Sequence, residues 1–147
     1  MKRGQISLDF LFAITLIAIT VLNMVYIANM QRSHAETFDA TTRLKIFSVD
    51  IRDTVTKVYA SGNGFSAKKE SPIPLTGGDS ITVRLSSKDN MIIITGNIGG
   101  RQYTTVQQSP VPIYQDESIQ ITPDKSEIWI KARERGGKVY VELSYSP

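Results

Sequence analysis

The sequence contains no cysteine. That excludes a disulfide framework, thiol catalysis and cysteine-ligated zinc, and it leaves the compartment open, because disulfide-free chains work on both sides of a membrane. The only histidine is His34, in a charged amphipathic stretch that suits a surface side chain better than a catalytic or metal-binding one. Charge is missing altogether from residues 10–30, and both proline and glycine are missing from residues 31–60. The second half lacks any cluster of one sign. Residues 63–147 carry ten basic and nine acidic side chains, and the whole chain is only +3. Nothing there tracks a phosphate backbone, so nucleic acid is not an expected partner. No phosphate-binding glycine loop and no metal-ligand cluster is present, so no enzyme activity, metal or cofactor is expected. No Asn-x-Ser/Thr sequon occurs, so N-glycosylation is not expected either.

What is present begins with FLFAITLIAITVLNMVYIANM over residues 10–30. As a helix this run spans about 31 Å, close to the thickness of a bilayer core. Lys2 and Arg3 flank it on the N-terminal side, which predicts a cytoplasmic N-terminus and an exported remainder. The run is longer than the apolar region of a cleaved secretory signal, and Tyr26 to Gln31 offers no small-residue cleavage site at its far end. Thr15, Thr20, Asn23 and Asn29 are the polar interruptions; each has two uses, a bond to a neighbouring helix or a bond to its own backbone.

The helical pattern continues past the apolar run. Phe38, Leu44, Phe47, Ile51, Val55 and Val58 form a stripe at spacings mostly of three and four. Gly62 and Gly64 supply the stop. Residues 6–60 thus read as one helix or two consecutive ones, roughly 80 Å long if continuous. The stripe predicts that the later half packs on something apolar.

The rest reads as β. Residues 62–80 are rich in Gly, Ser and Pro and read as a linking loop. Ile81, Val83 and Leu85 alternate with polar residues, Ser87-Lys88-Asp89-Asn90 turns the chain into residues 91–95, and Gly99-Gly100 turns it again into 102–106. Ile119 and Ile121 alternate once more. Gly136-Gly137 is a hairpin signal between 127–133 and 138–145. Six or seven short strands fit a small sandwich or a sheet wrapped on a helix. Trp129 and Tyr140 read as core or hairpin residues. Asp116, Glu117 and Asp124 form a weak candidate cation site, with plain loop solvation as the simpler reading. The fold class expected is α+β: a long N-terminal helix, membrane-spanning and then amphipathic, carrying a small antiparallel β head.

The junction before the apolar run is Lys2-Arg3-Gly4-Gln5-Ile6-Ser7-Leu8-Asp9-Phe10. It resembles the class III signal peptide of archaeal type IV pilin-like proteins, whose motif Q-x-S-x-E precedes an apolar helix; here it stands as Gln5-x-Ser7-x-Asp9. The resemblance covers about the first thirty residues, and the head carries no family motif. It implies that a prepilin peptidase cleaves between Gly4 and Gln5 on the cytoplasmic side. Residues 1–4 would then be a leader, 5–30 a transmembrane and assembly helix, 31–61 its amphipathic continuation, and 62–147 an extracellular head. The implied function is a structural subunit of a surface filament, with further copies of itself, the peptidase and the pilus assembly machinery as partners. The family usually has glutamate where this chain has Asp9, one methylene shorter, so the reach of any pairing changes. The residues themselves keep other readings open. Gly4 gives a protease a flexible backbone to extend. Asp9, expected in the first helical turn, suits the helix dipole of an uncleaved anchor, and Ser7 suits an N-cap. The alternative function is a single-pass membrane-anchored extracellular binding module that does not polymerise.

Overall fold

The structure is a computed structural model that describes the backbone from Lys2 to Pro147 and the side chains of residues 8–32 and 38–147. One helix, α1, runs over Lys2–Ser61. Seven strands follow: β1 Ser66–Glu70, β2 Ser80–Ser86, β3 Met91–Ile98, β4 Arg101–Gln108, β5 Glu117–Ile121, β6 Glu127–Arg135 and β7 Lys138–Ser144. Packing divides the chain into two units. The first, up to Asp39, is helix alone; the second, Ala40–Pro147, holds the end of the helix and every strand. This is the expected α+β class.

The helix is continuous because nothing in its interior stops it: from residue 5 to residue 61 no proline or glycine interrupts the i to i−4 ladder. It ends where Gly62 takes a φ of 78° and its N–H donates to the carbonyls of Val58 at 3.2 Å and Tyr59 at 3.3 Å. That closes two of the carbonyls a helix end leaves over. The start differs from the expectation. The helix begins at Lys2 rather than Ile6 and includes Gly4, so no acid lies in its first turn and Asp9 sits beyond it. A glycine costs a helix about 1 kcal/mol relative to alanine, too little to end one by itself.

Within the second unit the helix packs on both sheets through Leu44, Phe47, Ile51, Val55 and Val58, all buried. Each such side chain contributes about 1.5–3 kcal/mol of transfer free energy. Phe38, placed by its spacing on the same stripe, is 75% exposed. It lies before the packed part begins at Ala40.

The strands form two antiparallel sheets, one ordered β1-β6-β7 and one β4-β3-β2-β5. In the larger sheet the inward row is Ile81, Val83 and Leu85 on β2, facing Gly96, Ile94 and Ile92 on β3, with Ile121 and Ile119 on β5. Gly96 lies beneath Leu44 of the helix: a Cβ there would fall 2.7 Å from Leu44 Cδ1. Farther along β4, opposite Ile92, Gln107 donates to Ser48 Oγ on the helix at 3.0 Å. In the smaller sheet Ile128, Ile130 and Ala132 on β6 and Val141 on β7 complete the core. Trp129 points to the opposite face of β6 from Ile128 and Ile130 and is half-buried beside Lys68 and Ser144.

The linking-loop reading of residues 62–80 needs correction, because β1 lies inside it. Its one apolar residue, Ala67, gives no alternating signal. The strand is made by pairing with β6 in the register Ser66↔Lys131 to Glu70↔Glu127. Its two lysines serve opposite faces: Lys69 bonds Asp50 on the helix at 2.7 Å, and Lys68 reaches Glu127 at 2.6 Å and Glu70 at 3.2 Å. Those two acids hold the Lys68 ammonium above its usual pKa.

Candidate membrane segment and the surfaces of the head

Leu8–Arg32 is a helical stretch of 25 residues, long and apolar enough to cross a membrane, and none of it is buried inside the protein. Its large side chains point outward on all sides, among them Phe10, Leu11, Phe12, Leu16, Ile17, Leu22 and Val25. A helix apolar around its whole circumference is out of place in water and suited to lipid. The length, by composition, matches a single-pass anchor.

The polar interruptions are handled locally. Thr15 Oγ1 donates to the Leu11 carbonyl at 2.8 Å, Thr20 Oγ1 to Leu16 at 2.8 Å, and Asn23 Nδ2 to Ile19 at 2.9 Å. Of the two uses open to these residues, the structure takes the bond to their own backbone four residues back. Both threonine hydroxyls and one of the two Asn23 amide N–H groups are thereby satisfied without a partner helix, which lowers the cost of placing them among acyl chains.

At the junction, Asp9 is exposed and makes no hydrogen bond or ion pair with any described residue. The backbone of Lys2, Arg3, Gly4, Gln5 and Ser7 is helical, while their side chains lie outside the described residues, as does that of His34. The capping and recognition readings of Ser7 therefore fall outside them too.

Two concavities of the head are open grooves, one along Asn63–Ser66 and Lys131–Arg135, another between Arg52, Thr56 and Lys57 of the helix and Gln108 and Pro110. The candidate cation site is not assembled. Asp116 Oδ1 accepts from both N and Oγ of Ser87 at 2.7 Å, and Glu117 takes the Gln115 amide. Asp124 belongs to the separate turn closed by Thr122 and Lys125, and no metal-holding group of three ligands occurs among the described residues. The two hydrogen bonds from Ser87 hold the Asp116 carboxyl below its usual pKa.

Sequence reading passed over two features. Asp79 joins two turns: its Oδ1 accepts from Gly99 N at 2.8 Å and its Oδ2 from Thr76 N at 3.1 Å, so its pKa is also lowered. Tyr114 was given no role, yet its ring meets Tyr140 at 5.4 Å between centroids, with Lys138 Nζ 5.1 Å above Tyr114 and Arg135 5.7 Å from Tyr140. Partial burial, then a hydrogen bond with Tyr114, raise the pKa of the Tyr59 hydroxyl at the end of the helix. Arg135 also pairs with Glu142, as does Arg133 at 3.1 Å. Both arginines of this cluster are thus paired with Glu142, while Lys138 meets the Tyr114 ring. The cluster's only sequence signal was the Arg-Gly-Gly-Lys hairpin tip. No protein-family model, no curated protein and no solved structure matches the chain.

Proposed function

We propose that this chain is a pilin-like structural subunit of a surface filament, held in the membrane by its N-terminal helix before assembly and carrying its β head outside the cell. The observation that supports this most is the continuity of α1. One unbroken helix leads from a segment suited to lipid into the core of the head. A plain anchor needs only a span and a linker; here the element that crosses the bilayer also carries the packing stripe of the folded head. The junction Gly4-Gln5-Ile6-Ser7-Leu8-Asp9 adds the resemblance to a class III signal peptide. In this reading a prepilin peptidase cuts after Gly4, the assembly machinery extracts the helix, and further copies of the chain replace lipid around it. The protein has a structural rather than a catalytic role.

The helical state of Gly4 fits such a cut. The first turn of a helix has unsatisfied N–H groups and few bonds to lose, so opening it for a protease costs little. Cleavage would place the new α-amine on Gln5. Residues four apart share a helix face, so that amine and the Asp9 carboxylate would stand on the same side.

One observation favours the second reading, an anchored binding module that does not polymerise. Thr15 and Thr20 spend their only hydroxyl donor on their own backbone, and Asn23 spends one of its two amide N–H groups, so little is left to bond a neighbouring helix. The two readings separate on the mature chain. Intact mass after expression in a host with a prepilin peptidase should correspond to a chain beginning at Gln5, and sheared surface fractions should contain it as high-molecular-weight filaments. A chain that keeps residues 1–4 and stays in the membrane fraction supports the anchored module.

A further inference from the structure

Two sheets have four terminal strands. β5 and β7 lie against each other, with the Tyr145 hydroxyl donating to the Gln120 carbonyl at 2.7 Å. β1 and β4 are left with an open side. Open edges invite pairing with other chains, and proteins blunt them with charge, proline or bulges. β1 is short and carries Lys68, Lys69 and Glu70 in five residues. β4 carries a single charge, Arg101, at its turn end. Residues 102–108 read QYTTVQQ, without charge or proline, and pair with β3 in an unbroken register.

The geometry of the β3–β4 hairpin says which groups are open. Gly99 and Gly100 both have positive φ, 57° and 73°, the two-residue turn that closes on a hydrogen-bonded pair, here Ile98↔Arg101. Hydrogen-bonded and non-hydrogen-bonded pairs alternate from there. Ser109 N donates to Asn90 O at 2.9 Å, as the same alternation requires at the other end. The N–H and C=O groups of Gln102, Thr104, Val106 and Gln108 therefore point away from β3. No other hydrogen bond among the described residues takes them up.

We propose that this edge pairs antiparallel with β4 of a second copy of the chain, about a two-fold axis through Thr105. The four outward residues are spaced symmetrically about Thr105, so this register uses all of them: Thr104 faces Val106 of the second copy, and Gln102 faces Gln108. Continued ladders then give about eight new backbone hydrogen bonds. Thr105 faces Thr105 and Tyr103 faces Gln107, both as non-hydrogen-bonded pairs. No like charges meet, and Arg101 falls opposite Ser109. Centring the axis on Thr104 instead leaves Gln108 without a strand partner. The same operation on β1 sets Lys68 against Lys68, which is repulsive. The uncharged stretch 102–108 also offers nothing to steer a charged foreign strand, whereas it is complementary to itself. A two-fold axis normal to the sheet keeps the helix-bearing faces of both copies on one side. The helix runs along β4 in the same direction, with Leu44 over Gly96 beside Tyr103 and Ser48 bonded to Gln107, so this axis sets the 40–61 helices of the two copies antiparallel. The pairing joins heads that meet from opposite sides and is separate from the contacts between neighbours in one bilayer or along a filament.

The absence of native cysteine makes the test direct. In a non-hydrogen-bonded antiparallel pair the facing Cα atoms lie about 4.5 Å apart, within disulfide range. Full-length Thr105→Cys in mild detergent, oxidised gently and run on a non-reducing gel, should form a covalent dimer. Thr104→Cys, whose counterpart is two positions out of register, should form it about tenfold less. Val106→Pro removes an outward N–H without touching the ladder to β3. Added to Thr105→Cys it should cut the dimer to the Thr104→Cys level with the thermal unfolding midpoint unchanged. Equal cross-linking at 104 and 105, dimer yield unmoved by Val106→Pro, or no dimer from Thr105→Cys would each overturn the proposal. The first two of these indicate association through the apolar helix.

Discussion

At the residue scale, Asp9, Gly96 and the two braced aspartates each act through a different physical term. In an assembled filament the Asp9 carboxylate would be withdrawn from water, at a cost that an adjacent α-amine on Gln5 offsets. Under the pilin-like role proposed above, Asp9→Ala should leave cleavage after Gly4 intact, by mass of the mature chain, and sharply lower filament yield, while Asp9→Glu should assemble at least as well as the parent. Unchanged yield for Asp9→Ala would return Asp9 to the role of a helix-start acid. Gly96 acts by space alone. A methyl group there would meet Leu44 Cδ1 at 2.7 Å and Ile98 Cδ1 at 3.1 Å. Leu44 is fully enclosed and has little room to yield, so Gly96→Ala should destabilise the head by about 1–3 kcal/mol in chemical denaturation. Combined with Leu44→Ala it should cost less than the sum of the two single changes. Asp79 and Asp116 act by charge. Their pKa values are depressed in the folded head, so the stability they contribute is present above the ordinary aspartate value of about 3.9 and is lost as pH falls through the folded values. Thermal midpoints should fall as pH drops below about 4, and Asp79→Asn with Asp116→Asn should flatten that dependence.

At the scale of elements, one helix meets two environments. From Leu8 to Arg32 its side chains have no protein around them; from Leu44 to Val58 one face is fully enclosed. The division is visible in single substitutions. Ile51→Ala should cost about 2–5 kcal/mol, the range for a buried aliphatic truncated to alanine. Phe38→Ser, at a position 75% exposed, should move head stability by no more than about 0.5 kcal/mol. Equal effects would mean that Phe38 packs as its spacing suggested. Among the strands, β1 depends on its partner: its apolar content is one alanine, and its cohesion comes from the ladder to β6 and from Lys69 reaching Asp50.

At the scale of the whole molecule, the sequence by itself determined the apolar span, the helix that continues from it, its stop at Gly62, and the hairpins at 87–90, 99–100 and 136–137. All of these are written in local signals: hydropathy, period, and the residues that break or turn a chain. The same local reading supplied the signal-peptide resemblance, which rests on consecutive residues and needs no fold. Only the tertiary structure decided what depends on distant partners. β1 exists because β6, some sixty residues later, offers it a ladder. Phe38 left the packing stripe because the head's core begins after it. Asp116 became a brace for Ser87 rather than a cation ligand because the end of β2 lies beside it. Gly96 is a glycine because Leu44 comes down on that spot. The open edge of β4 belongs here as well, since strand order alone says which strand has a side left unpaired. The physical reason is common to all five: a periodic pattern reports which face a residue prefers, and burial and pairing are settled by what the rest of the chain brings to that face.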